Sequence, residues 1–318
     1  MILLLIASAA ALTADIPPEV KRLTPSLAKV QKFAKDSGAS LWPGFHSAPF
    51  GFLLIGKNEE FLICQQAKSA AFDPIGKDQS TGCYVLRREK TGLPDTLLAA
   101  LPILGPPSTI VMGTPETTGQ GEAGWTRTIL HEHFHQWQNA LPDYYTRVDA
   151  LNLKDGDETG KWMLEFPFPY TEAAPAHATA SRALAEALDA RGTMKFRQAL
   201  SSYLTARRAF AEAVGEHNWR YFEFQLWQEG VARWTEIQLG RAFPDKEIRN
   251  GALELETRTL AALRAPDLAK SKRVAVYPFG TGEAMLLEAC GAQWRKAYPI
   301  TLSLGPLLQA ASENCSLH

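Results

Sequence analysis

The sequence predicts an α+β fold, in which a small strand-rich N-terminal part packs on a mostly helical C-terminal part. Three observations support this. The first third carries short apolar runs punctuated by Gly and Pro. From Trp125 onward the apolar residues recur at helical spacing. No internal repeat or low-complexity linker interrupts the 318 residues.

Residues 19–38 read as an amphipathic helix ending near Gly38, and Leu41-Trp-Pro-Gly-Phe45 as a turn. Residues 50–55 and 60–64 are apolar runs separated by Gly56-Lys57-Asn58, which is hairpin chemistry. Strands are also expected at 82–87 and 108–112, the latter bounded by Pro107 and Gly113. A Gly- and Thr-rich loop, read as mobile, fills 113–124. Helices are expected at 125–140, 173–190, 194–214, 218–240 and 247–264. A strand-like run at 273–277 precedes Pro278 and a helix near 283–290.

A formal charge of -1 gives no electrostatic drive toward nucleic acid or anionic lipid. Met1–Ala14 is an apolar run followed by small residues and reads as a signal peptide, cleaved after Ala11 or Ala14. It is shorter than the roughly 20 apolar residues a bilayer span needs, so no stable membrane insertion is expected. Residues 15–107 then form the strand-rich part and residues 108–318 the helical one. Export to a periplasmic or secreted location would allow disulfides. Cys64, Cys83, Cys290 and Cys315 contain no Cys-x-x-Cys pair and allow three pairings, of which proximity favours Cys64–Cys83 and Cys290–Cys315.

The chemistry lies in His131-Glu132-His133-Phe134-His135, a His-Glu-x-x-His segment within a helical pattern. At about 100° per residue, with His131 at zero, His135 falls near 40° and Glu132 near 100°. Leu130, Phe134, Trp137 and Leu141 fall between about 240° and 300°, a separate stripe for core packing. His133, near 200°, points away and reads as a structural or surface residue. Two neutral imidazoles one turn apart can chelate Zn2+ through nitrogens about 2.0–2.1 Å away. Zinc lowers the pKa of a bound water towards ~7, and the adjacent Glu132 can act as general base.

A catalytic zinc site needs a third protein ligand. The preferred candidate is Glu229, whose helix face it shares with Phe222, Gln225, Ala232, Arg233 and Glu236. Gly230 and Ala232 are small enough for close approach to the helix bearing Phe134 and Trp137, and Glu236 could orient a histidine. Glu165, Glu172 and His177 are rivals.

His131-Glu132-x-x-His135 followed by Glu229-Gly-x-Ala232 resembles the gluzincin metallopeptidases. Gln228-Glu229-Gly230-Val231-Ala232 is similar to the Asn-Glu-Gly-x-Ala segment of their aminopeptidase N branch. Between roughly Leu41 and Trp294 the chain also resembles poorly characterised bacterial proteins that combine a Trp-Pro-Gly turn with these helices. One departure is the long insert, 136–228, between the second histidine and Glu229. The resemblance implies a zincin-like helical domain and a hydrolase acting on a peptide or protein substrate. It implies an oxyanion-stabilising residue, for which Tyr277 is the candidate, and an edge strand, here 108–112, that pairs with extended substrate. A non-catalytic zinc-containing binding protein on the same scaffold is the alternative; the intact Glu132 favours catalysis. A zinc hydrolase of non-peptide substrates is a third reading.

Overall fold

The computed structural model describes residues 15–65, 71–157, 159–291 and 293–315. The signal-peptide reading of Met1–Ala14 therefore lies outside the described residues. The fold is α+β. Helix α1 (Pro18–Leu41) leads into a six-stranded mixed sheet of β1 (Phe52–Ile55), β2 (Glu59–Ile63), β3 (Asp73–Lys77), β4 (Tyr84–Glu89), β5 (Leu98–Leu101) and β6 (Thr109–Gly113). The order is β3-β4-β2-β1-β6-β5. β1 and β6 run parallel, and the other neighbours are antiparallel.

The helical remainder comprises α2 (Glu122–Asn139), α3 (Tyr144–Asp149), α4 (Trp162–Glu165), α5 (Ala174–Asp189), α6 (Phe196–Val214) and α7 (Glu216–Gln225). A π-helical segment, Leu226–Gly230, joins α7 to α8 (Val231–Ala242). Then come α9 (Lys246–Arg264), α10 (Leu268–Ser271), α11 (Val276–Ala289), α12 (Trp294–Ala297) and α13 (Gly305–Asn314).

Alternation along β1 shows how the sheet is covered. Phe52 and Leu54 enter the main core, whereas Leu53 and Ile55 join a smaller cluster with Leu62, Phe72 and Val111 on the other face. The main core runs unbroken from α1 to α13, so the two parts share one interior. The sheet also continues past residue 107, because β6 is one of its inner strands.

That position corrects one expectation. β6 lies between β1 and β5, so both its hydrogen-bonding edges are occupied. Substrate cannot add to it as to an edge strand; on that side the free edge belongs to β5. A second correction concerns 273–277. Val274 and Val276 alternate with Ala275 and Tyr277 as in a strand, yet Lys272–Ala275 is a 3₁₀ turn that runs into α11. Pro278 lies in the first turn of α11, where a helix has no N–H partner to lose.

Both disulfides favoured by proximity are present, Cys64–Cys83 and Cys290–Cys315. The first joins the end of β2 to the start of β4; the second joins the ends of α11 and α13. Among the described residues no helix is long and apolar enough to cross a membrane.

Candidate metal centre

The site begins with the placement of α2. Trp125 Nε1 donates to Gly113 O at 2.8 Å, tying the helix start to the end of β6. Further along, Gln136 Nε2 donates to Gly51 O and Ser108 O, each at 2.9 Å. These bonds fix the rotation of α2 against the sheet. On its other side, Trp42 from the Trp-Pro-Gly turn is fully buried against Phe134, Trp137, Trp234, Trp294 and Tyr298. Its indole N–H donates to Thr235 Oγ1 on α8 at 2.9 Å, so this turn locks α2 and α8 together.

His131 and His135 meet as their spacing requires, with Nε2 atoms 3.1 Å apart. Glu229 Oε2 lies 3.5 Å from His131 Nε2 and 3.3 Å from His135 Nε2. A tetrahedral ion with bonds near 2.05 Å would hold its ligands about 3.3–3.4 Å apart. The three donors thus form a triangle the size of one coordination face, and the group can hold a metal ion.

The second nitrogen of each ring also faces a polar group, through a hydrogen bond at His135 and a charge contact at His131. Gln138 Oε1 accepts from His135 Nδ1 at 2.6 Å, and Glu236 Oε2 lies 3.3 Å from His131 Nδ1. Partners on Nδ1 leave each Nε2 lone pair for a metal. Glu236 itself contacts Arg127 Nε at 2.9 Å and Arg233 Nε at 3.2 Å. Burial opposes its ionisation, but Arg233, His131 and Arg127 outweigh burial and hold its pKa down at about 2.

The same contest sets the other charges. Burial disfavours a charged His131, yet Glu229 and Glu236 raise its pKa to about 9. Burial likewise opposes a charged Glu229, but His135, His131 and Arg273 hold its carboxyl well below the ordinary range. A His131 imidazole held protonated beside an ionised Glu229 carboxylate leaves a proton where a cation would otherwise sit, which is the chemistry of a metal-ready donor set. Glu132 is buried beside the triangle but is not one of its donors. Burial pushes its pKa up, against the pull of the two histidines.

Tyr277 reaches the site from α11 rather than from a strand. Its ring centroid lies 6.0 Å from that of His131, and its hydroxyl is 3.5 Å from Arg273 Nη2. Arg273 Nη1 donates to Gln225 Oε1 at 2.8 Å and to Glu229 Oε1 at 3.3 Å. Sequence reasoning missed Gln138 and Arg273. Gln138 stands three residues after His135, a spacing that places side chains on one helix face. Arg273 carries no such signal, because it meets Glu229 across the fold.

The rivals lie elsewhere. Glu165 and Glu172 are exposed. His133 is buried rather than at the surface, packed against Phe45 and Phe50. His177 is enclosed by Phe210, Phe222 and Phe279, and neither ring nitrogen has a hydrogen-bond partner among the described residues. Burial lowers its pKa to about 4. In the unfolded chain it titrates near 6.5. Between these values the unfolded state binds the proton and the native state refuses it, so the stability is complete above pH ~6.5 and falls as pH drops toward ~4. The loss from this residue is about 3 kcal/mol. His177→Leu should therefore flatten the fall in denaturation midpoint between pH 7 and 4. Identical pH profiles for the two proteins would contradict this account.

Comparison of the chain with protein-family models, curated proteins and solved structures finds no match.

Proposed function

We propose that this protein is an exported zinc-dependent hydrolase of the metallopeptidase type, related in design to the gluzincins. The observation that carries the proposal is the donor triangle of His131, His135 and Glu229 with the carboxylate of Glu132 beside it. His131, His135 and Glu229 would hold zinc, whose fit rests on two nitrogens and one carboxylate at tetrahedral spacing. When bound, zinc supplies Lewis acidity and lowers the pKa of water toward ~7.

The chain's own residues would do the rest. Glu132, raised in pKa by burial, accepts the proton of the attacking water and passes it to the leaving amine. Tyr277, kept neutral by burial, offers a hydroxyl proton to the developing oxyanion. Gln138 and Glu236 hold the imidazoles in the tautomer and orientation that binding needs. Peptides or proteins are the substrate class, with no role for nucleic acid. Two disulfides support a periplasmic or secreted location.

Metal analysis of the purified protein should find one zinc per chain. A peptide-library digest should show cleavage that stops on chelation and returns with zinc. Stoichiometric zinc without cleavage would favour the non-catalytic binding protein. A metal-free protein that refuses zinc would defeat both readings.

A further inference from the structure

The proposal concerns the substrate and rests on the peptidase reading above. Three carboxylates meet at the site, Glu132, Glu229 and Glu236, and each has a role. Three arginines answer them: Arg127 and Arg233 contact Glu236, and Arg273 contacts Glu229. With neutral imidazoles these charges cancel, so a bound divalent cation would leave the site doubly positive. No further carboxylate pairs with these arginines among the described residues. The site therefore favours an anionic substrate group over a substrate amine.

Arg233 is the arginine in the position to take it. It stands one helical turn after Glu229, on the same face of the helix. Its guanidinium lies over the Tyr277 ring, 4.9 Å from the centroid, and the Arg273 guanidinium lies 5.8 Å from the same centroid. Arg273 is committed to Gln225 and Glu229. Arg233 makes no hydrogen bond with any described residue; its charge contact is through Nε to Glu236. The side chain is 27% exposed, which gives an outside ligand access to its terminal nitrogens.

We infer that Arg233 forms a carboxylate subsite, stacked on Tyr277 and beside the metal ligands, that anchors a carboxylate of the peptide substrate. A planar guanidinium with a free fork suits bidentate carboxylate recognition. One helical turn is about 5.4 Å, whereas an extended peptide advances about 3.3–3.6 Å per residue. The anchored carboxylate thus belongs one or two residues from the bond that is cut. Either a free C-terminus or an Asp or Glu side chain supplies that chemistry.

The test uses the zinc-loaded full chain and a peptide found to be cleaved, prepared with a free C-terminus, as its C-terminal amide, and as an amide ending in Glu. The free acid should be favoured over the plain amide about tenfold or more in kcat/KM. Arg233→Met should raise KM for the acid about ten- to hundredfold, with less effect on kcat, and erase the preference. Arg233→Lys, which keeps the charge without the fork, should recover part of it. Metal content is measured on both variants, and Arg233→Lys decides if Arg233→Met loses zinc. Preference for the Glu-ending amide would assign the carboxylate to a side chain; preference for the free acid alone assigns it to the C-terminus. Equal rates for acid and plain amide with no preference for the Glu-ending amide, or a preference unchanged in both variants, would overturn the subsite. If no peptide is cleaved, the peptidase reading fails and calorimetry decides the subsite separately. N-acetylphenylalanine should bind more tightly than its amide in wild type but not in Arg233→Met. Equal binding of the two overturns it.

Discussion

Glu132→Gln should retain one zinc per chain and hydrolyse a cleavable peptide about 10²–10⁴-fold more slowly than wild type. The two halves of that expectation come from different parts of the geometry. Metal retention follows because the donor triangle contains His131, His135 and Glu229 but not Glu132. The loss of rate follows because an amide of nearly the same size fills the same buried place but cannot accept a proton. The substitution also removes a charge that helps to hold the His131 proton, so the pKa of the metal-free imidazole should fall. Metal content and turnover, measured on one preparation, check both halves. Wild-type turnover would remove Glu132 from the mechanism, and loss of zinc would make it a ligand.

The parts of this site that were legible in the sequence are those a single helix determines. His131, Glu132 and His135 follow from the angle per residue, and Glu229 and Glu236 share a face seven residues apart. What was not legible depends on packing between elements. Tyr277 lies in a stretch whose β-branched alternation argues for a strand, yet tertiary contacts make it the first turn of α11. β3 was missed because Asp73-Pro-Ile-Gly-Lys77 is poor strand sequence, and β5 because Leu98-Ala-Ala-Leu101 favours helix by propensity. The close approach allowed by Gly230 was anticipated, but its direction was not. Gly230 meets Gly280 of α11, not the α2 residues Phe134 and Trp137. The π-helical turn that carries Glu229 has no local signature in Leu226-Trp-Gln-Glu-Gly230, because a widened turn is imposed by what surrounds it.

That turn makes Gly230→Ala the more demanding test of how the proposed third ligand is held. A Cβ built on Gly230 would sit 2.4 Å from Gly280 Cα, and one on Gly280 would sit 2.6 Å from Leu226 O. Both obstacles are backbone, so no rotamer change can relieve them. Thr281 Oγ1 also donates to Gly230 O at 3.0 Å, which joins the two elements where they touch. Alanine at 230 must therefore push α11 away from the π-helical turn, at a cost of about 1–3 kcal/mol. The shift acts on the residue just before it, Glu229, while Tyr277 moves with α11 and Arg273 with the 3₁₀ turn that runs into it. Glu229→Ala removes a ligand outright and should weaken zinc by more than the roughly 10–100-fold that follows loss of a group orienting a ligand. Gly230→Ala keeps every donor and should still weaken zinc at least about tenfold, since a displaced carboxylate no longer closes the triangle. Competition with a chelator of known affinity measures both variants, and a denaturation curve on the metal-free proteins separates lost stability from lost binding. Tight zinc in Gly230→Ala alongside weak zinc in Glu229→Ala would show that the carboxylate finds the metal without the Gly230–Gly280 contact. Tight zinc in both would remove Glu229 from the site.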